Sequence, residues 1–242
     1  MAGSFLYAKS INVNKSISVC IPTVGEVLGS EDDFFGVISF FIATPYSMIA
    51  QLDEIGVDFT EIDDWQLFGL FFPILREMNC DLVLKGIDLK KLVLKKNEET
   101  NDFYFEDPES GVVLDKLAHY MIAKTIRKIL FIEKETKRPG NDEAKEYMIY
   151  KAKKALKRKR RKAKNGEESS QLDDTIIALV NREEFPYDYE SVRGISIYQL
   201  YASLYQIAHK VNYDNLMTGC YAGTIDAKSI DKKELSWLRI ND

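Results

Sequence analysis

Histidine and cysteine are scarce: His119 and His209, with Cys20, Cys80 and Cys220, are all that occur in 242 residues. The cysteines lie far apart, form no CxxC pair and are odd in number. That spacing excludes a structural zinc site and a disulfide framework, and predicts a reducing, intracellular setting. Long apolar runs are missing too. The longest, residues 34–43 (FFGVISFFIA), is about half of what a membrane-spanning helix needs. The opening MAGSFLYAKS lacks a basic start followed by an apolar stretch, so no signal peptide is expected. The expectation is a soluble protein with no membrane partner.

What is present is ordinary in bulk and uneven in distribution. Hydrophobic residues make up 45% and charged residues 29%, as in a folded soluble chain of one large or two small domains. The net charge is −5, yet residues 151–164 hold ten Lys or Arg and no acid. Setting those ten aside leaves −15 on everything else. The basicity is local to an acidic protein, which argues against a broad DNA-binding surface.

Along the chain, INVNKSISVCIP alternates apolar and polar residues around Asn14 and Lys15 and predicts a β-hairpin with one buried face. Helices are predicted over 31–43, from Thr44-Pro45 to Gly56, and from about Ile62, the last one kinked or split by Pro73. β-branched and aromatic residues on either side of NEETN predict a second hairpin or small sheet within 81–107. A long helix is predicted from Val112 to about Lys134. After the breaker KRPGND comes another from Asn141 or Asp142 through the basic run, then helices near 172–183 and 197–211, with Ser196 as N-cap. Asp231 and Glu234 have capping-box spacing ahead of Leu235, Trp237 and Leu238. The fold class read from this is α+β, mostly helical, with small antiparallel β-hairpins in the N-terminal half. Three parts are expected: an α+β part over 1–138, a charged helix or linker over 139–168, and a helical part over 169–242.

Lys157, Arg158, Lys159, Arg160, Arg161 and Lys162 are the candidate electrostatic contact. The run reads as a solvated helix end joining two halves, as a contact for an acidic protein surface, or as a phosphate contact. Tyr147 and Tyr150 stop before the charge peaks, unlike the interleaving common in nucleic-acid-binding segments, so nucleic acid is not the expected partner. The aromatic crowd read as core also supplies candidate partner-binding residues: Trp65, Phe68, Phe71, Phe72 and, near the end, Trp237. The acid clusters SEDDFF, EIDDW and YFEDPE precede apolar stretches and read as helix starts. MTGCYAGTID lacks the lysine and preceding strand of a phosphate loop, and reads as a tight turn docking Leu216 and Tyr221 on the core. Cys220 and His209 have nothing to place them together. No catalytic, metal or cofactor-binding set emerges, and none is expected.

Four stretches, IPTVGEV (21–27), TPYSMIAQLDEIGVDFTEIDDWQLF (44–68), FPYDYESV (185–192) and NYDNLMTGCYAGTIDAKSIDKKELSWL (212–238), resemble a family of proteins encoded by phages of Gram-positive hosts. Taken in order, they extend the resemblance over most of the chain except the basic run. The resemblance implies a non-enzymatic tail or baseplate component, or a tail assembly chaperone, in the host cytoplasm and then, for a component, in the virion. Its implied partners are other phage structural proteins, with homo-oligomers allowed. The alternative is a nucleic-acid-binding accessory protein that uses residues 151–164.

Overall fold

In the computed structural model, which describes residues 4–98, 102–166 and 170–238, the alternating segment folds as the predicted hairpin. Strands β1 (Ser10–Asn12) and β2 (Ser18–Cys20) run antiparallel with Ile11 opposite Val19. The Asn14 side chain accepts from the backbone N–H groups of Ser16 and Ile17 and closes the turn. A third strand, β3 (Leu84–Lys85), falls within the predicted β stretch 81–107 but pairs with the first hairpin, at the other edge of β2. It lies close because Gly86 follows it: φ is +85°, and a Cβ there would sit 1.9 Å from the Ser16 carbonyl oxygen.

The second sheet pairs β4 (Val93–Lys96), β5 (Phe103–Glu106) and β6 (Val113–Leu114), all antiparallel. β6 corrects the predicted helix start at Val112. Asp107 accepts from the Glu109 N–H and the Ser110 hydroxyl, Gly111 takes φ +68°, and the chain reverses to lay Leu114 beside Phe105. The YFEDPE acids therefore build a turn and do not start a helix. Helices occupy 52% and strands 9% of the described residues, so the molecule is α+β and mostly helical.

The helices are α1 (Val24–Leu28), α2 (Glu31–Ile42), α3 (Ile49–Glu54), α4 (Asp64–Leu75), α5 (Lys116–Leu130), α6 (Asp142–Lys164), α7 (Gln171–Val180) and α8 (Ile197–Tyr221). Reciprocal capping boxes start three of them, at Thr23–Glu26, Asp63–Gln66 and Ser196–Gln199. α3 begins later than predicted because Thr44 and Ser47 bond each other's backbone and hold a turn ahead of it. Pro73 lies in the last turn of α4, where it removes one ladder bond and does not split the helix. α8 runs ten residues past its predicted end at 211.

One buried cluster extends from Ile17 to Leu200. It takes Phe34, Val37 and Phe41 from α2, Trp65, Phe68 and Phe72 from α4, and Ile122, Ile126 and Ile129 from α5. Backbone bonds stitch the first and last parts of the chain together: Val24 N–H donates to the Ile195 carbonyl and Ile197 N–H to the Pro22 carbonyl, both at 2.8 Å. Of the predicted part boundaries, 138/139 falls in the loop before α6 and 168/169 lies outside the described residues; the core itself runs across both. A smaller cluster of Ala43, Ile49, Leu52, Phe59 and Leu67 is covered by Met148, Ile149 and Ala152 of α6.

Candidate interaction surfaces

α6 is capped by Asn141, whose side chain accepts from the Ala144 N–H, and the last fourteen of its 23 residues, 151–164, are all good helix formers. One of its faces is occupied. Beside Met148, Ile149 and Ala152, Lys145 pairs with Asp58, and Lys153 Nζ lies 2.5 Å from Asp53. Arg160 then makes a fork to both Glu54 oxygens at 2.7 and 2.9 Å. The Lys145 hydrogen bond, followed by bonds from Thr60, brings the Asp58 carboxyl down to about 2. The Arg160 hydrogen bond likewise lowers Glu54. Spacings of eight and seven residues between these cations keep them on one side of the helix. Arg160, one of the six predicted contact residues, thus has its partner within the chain. Lys157, Arg158, Lys159, Arg161 and Lys162 are exposed and make no ion pair among the described residues.

The opposite side of α6 faces solvent with Tyr147 and Tyr150, 59% and 61% exposed. Lys151 lies over the Tyr147 ring at 5.1 Å and Lys154 over Tyr150 at 5.9 Å. Tyr147, Lys151, Lys154, Arg158 and Arg161 follow one another at spacings of four, three, four and three residues, which stacks them along one side. In linear order the tyrosines end before the charge peaks. The helix period folds them into the same stripe.

The aromatic crowd is core. Trp65, Phe68 and Phe72 are buried, which corrects their expected place in a partner-binding groove, and Phe71 is half-buried against Phe40. β5 and α5 close over them. Trp65 stacks on Phe103 and donates its Nε1–H to the Phe103 carbonyl at 3.2 Å, while Phe72 stacks on Phe105 with centroids 3.9 Å apart. His119 is buried in the same group, 4.5 Å from the Phe68 ring. Burial pushes its pKa down to about 4, against a smaller upward pull from Asp64. Its Nε2 has no hydrogen-bond partner among the described residues.

Two neighbouring clefts of about 340 and 550 Å³ run beside α5 and share Tyr120, Arg127 and Lys134. Several of their charges are already committed. Asp63 pairs with Lys116, Asp64 with Lys134, and Arg127 donates to the Ile42 carbonyl. Among the described residues no three His, Cys, Asp or Glu side chains gather in a set that could hold a metal ion.

Trp237 is the predicted apolar residue that is left outward, at 57% exposure, with Leu238 at 52% beside it. The chain after α8 turns at Gly223 (φ +72°) and returns along the helix. Ile225 lies against Gly219, where a Cβ would come within 2.5 Å of it. The return is held by polar bonds: Gln206 donates to the Trp237 carbonyl, His209 Nε2 to the Ser236 carbonyl, and Asn212 to Glu234. This corrects two expectations. Asp231 and Glu234 form a turn, with Glu234 used by Asn212, so no capped helix follows. Tyr221, expected to dock on the core, is 85% exposed because α8 carries it beyond the core's edge. Cys220 and His209 sit on that one helix about 16 Å apart along its axis, with His209 engaged elsewhere. They do not form a pair.

Residues 160–242 match the family model described as the YomV second domain, and over these residues the chain is similar to that phage-associated family. The matched segment takes in the end of α6, α7, α8 and the returning tail. Two of the four resembling stretches (185–192 and 212–238) lie within it, and the other two lie outside. It also includes residues 160–164 of the basic run, which the sequence resemblance left out. No curated protein and no solved structure matches the chain. Among the described residues no helix is long and apolar enough to cross a membrane.

Proposed function

We propose that the protein is a phage virion morphogenesis factor, a tail or baseplate component or a tail assembly chaperone, that works in the host cytoplasm through protein–protein contacts and not through catalysis. One observation carries this reading: the segment similar to a phage-associated family is also the one that turns Tyr221, Trp237 and Leu238 outward. Exposed aromatic anchors on an ordered backbone are the residue type that dominates protein interfaces, because a large rigid ring is desolvated at little entropic cost. Other phage structural proteins, or a second copy of this chain, are the partners that such a surface serves.

The test is made in the phage itself. Deleting the gene is expected to give particles with missing or defective tails, and Trp237→Ala with Leu238→Ala to lower the titre while the purified protein keeps its helical circular dichroism. Mass spectrometry of purified wild-type particles then separates the two roles: a structural component is present and a chaperone is absent. Normal tails in the deletion phage would sink the proposal.

A further inference from the structure

We propose that the outward face of α6 is a binding site for a phosphodiester chain, with Tyr147, Tyr150, Lys151, Lys154, Arg158 and Arg161 as its contact residues. The inference is independent of the protein–protein reading above, since it stands on α6 alone. The two sides of this helix treat charge differently. Lys145, Lys153 and Arg160 on the inner side are held by Asp58, Asp53 and Glu54. Those carboxylates belong to α3 and the loop after it, and they serve only the side that packs there. On the outer side Lys151, Lys154, Arg158 and Arg161 make no ion pair among the described residues, although the chain outside 151–164 carries −15. An acidic protein that leaves one row of cations unanswered presents that row to an anion from outside.

The tyrosines decide which anion. The stripe from Tyr147 to Arg161 is about 21 Å long, enough to follow several phosphates. At one end two exposed rings lie beneath lysine side chains. A flat ring next to a row of cations suits a base on a charged backbone, because every base offers a face to stack while its phosphates meet the cations. An acidic peptide would use the cations and leave the rings idle. α6 is also held to the body by Met148, Ile149, Ala152 and three ion pairs, so the face is displayed on a fixed helix and is not a frayed arm.

The full-length protein is titrated into a fluorescent 20-nucleotide single strand, a 20-base-pair duplex, and a 20-residue polyglutamate. Binding to nucleic acid is expected, and with four phosphate contacts affinity should fall by roughly fifty-fold on the single strand and about 150-fold on the duplex between 50 and 200 mM salt. Arg158→Glu with Arg161→Glu should weaken it by at least about tenfold, whereas Lys124→Glu with Lys128→Glu on α5, the same change in net charge, should leave it nearly unaltered. Helical circular dichroism checks that both variants fold. Tyr147→Ala with Tyr150→Ala distinguishes the forms: a loss of roughly tenfold on the single strand alone identifies stacked bases, and no loss on a tightly bound duplex identifies backbone contact only. No binding to either nucleic acid at 20 mM salt would overturn the assignment. So would equal losses in the two charge variants. Polyglutamate bound as tightly as the strands would overturn it also, and would give the face to an acidic protein.

Discussion

His119 shows what one buried titratable side chain does to this fold. Its ring fills space among Phe41, Trp65 and Phe68, and burial holds its pKa near 4. In the unfolded chain the same imidazole titrates near its ordinary value of about 6.5. Between those values the unfolded state binds the proton and the folded state does not, so stability is full above pH 6.5 and is lost as pH falls toward 4. The difference reaches roughly 3 kcal/mol at the lower end. Chemical denaturation at a series of pH values should show this slope in the wild type. In His119→Phe, which leaves a ring in place without the titration, the slope between pH 6.5 and 4 should be much shallower. Equal slopes in the two proteins would refute the account.

At the scale of elements, α6 is the one whose docking depends most visibly on charge. Its apolar contact is narrow, and the rest of the seam consists of Lys145–Asp58, Lys153–Asp53 and Arg160–Glu54. Because Asp58 and Glu54 are both depressed, the Lys145–Asp58 and Arg160–Glu54 pairs are intact above the ordinary carboxylate range and are lost as pH falls below it, the Asp58 pair at about 2. Amide exchange in residues 142–164 should therefore accelerate through that window ahead of exchange in α5, whose inner face is buried. Asp58→Asn should show faster exchange in α6 already at pH 7, with α5 unchanged. α6 and α5 loosening together would contradict a separately docked helix.

For the whole molecule, the decisive feature is that the first strands and the start of α8 share a core. Ile197 and Leu200 at the start of α8 are fully buried in the cluster that holds Ile17 and Val24. Leu200→Ala should cost about 2–5 kcal/mol. It should also shift a single unfolding transition, seen alike by tryptophan fluorescence and helical circular dichroism. Two separated transitions would show that the parts fold independently.

Features encoded over a few residues are legible in the sequence. Ser196 and Gln199, Asp63 ahead of α4, Asn141 ahead of α6, and the Asn14 turn all act within three or four residues of themselves, so a short window contains both donor and acceptor. The second hairpin and the helical majority follow from pattern in the same way. β6, and the pairing of β3 with the first hairpin, are not legible, because a two-residue strand has no period of its own and is placed only where a distant partner receives it. Gly86 and Gly111 are the signals that point to them, through the close approach and the reversal they permit.

The candidate surfaces divide along the same line. Composition alone established one basic stretch in an acidic chain, few metal ligands and a surplus of aromatics. Tertiary structure decided which of these are available. It buried Trp65, Phe68 and Phe72 beneath Phe103, Phe105 and His119, and it left Trp237 outside on the tail that returns along α8. It also split the cations of α6 between an inner side answered by Asp53, Glu54 and Asp58 and an outer side set with two tyrosines. Periodicity tells which residues share a side of a helix. What lies against that side is settled by segments far along the chain, through burial and charge pairing that no local window contains.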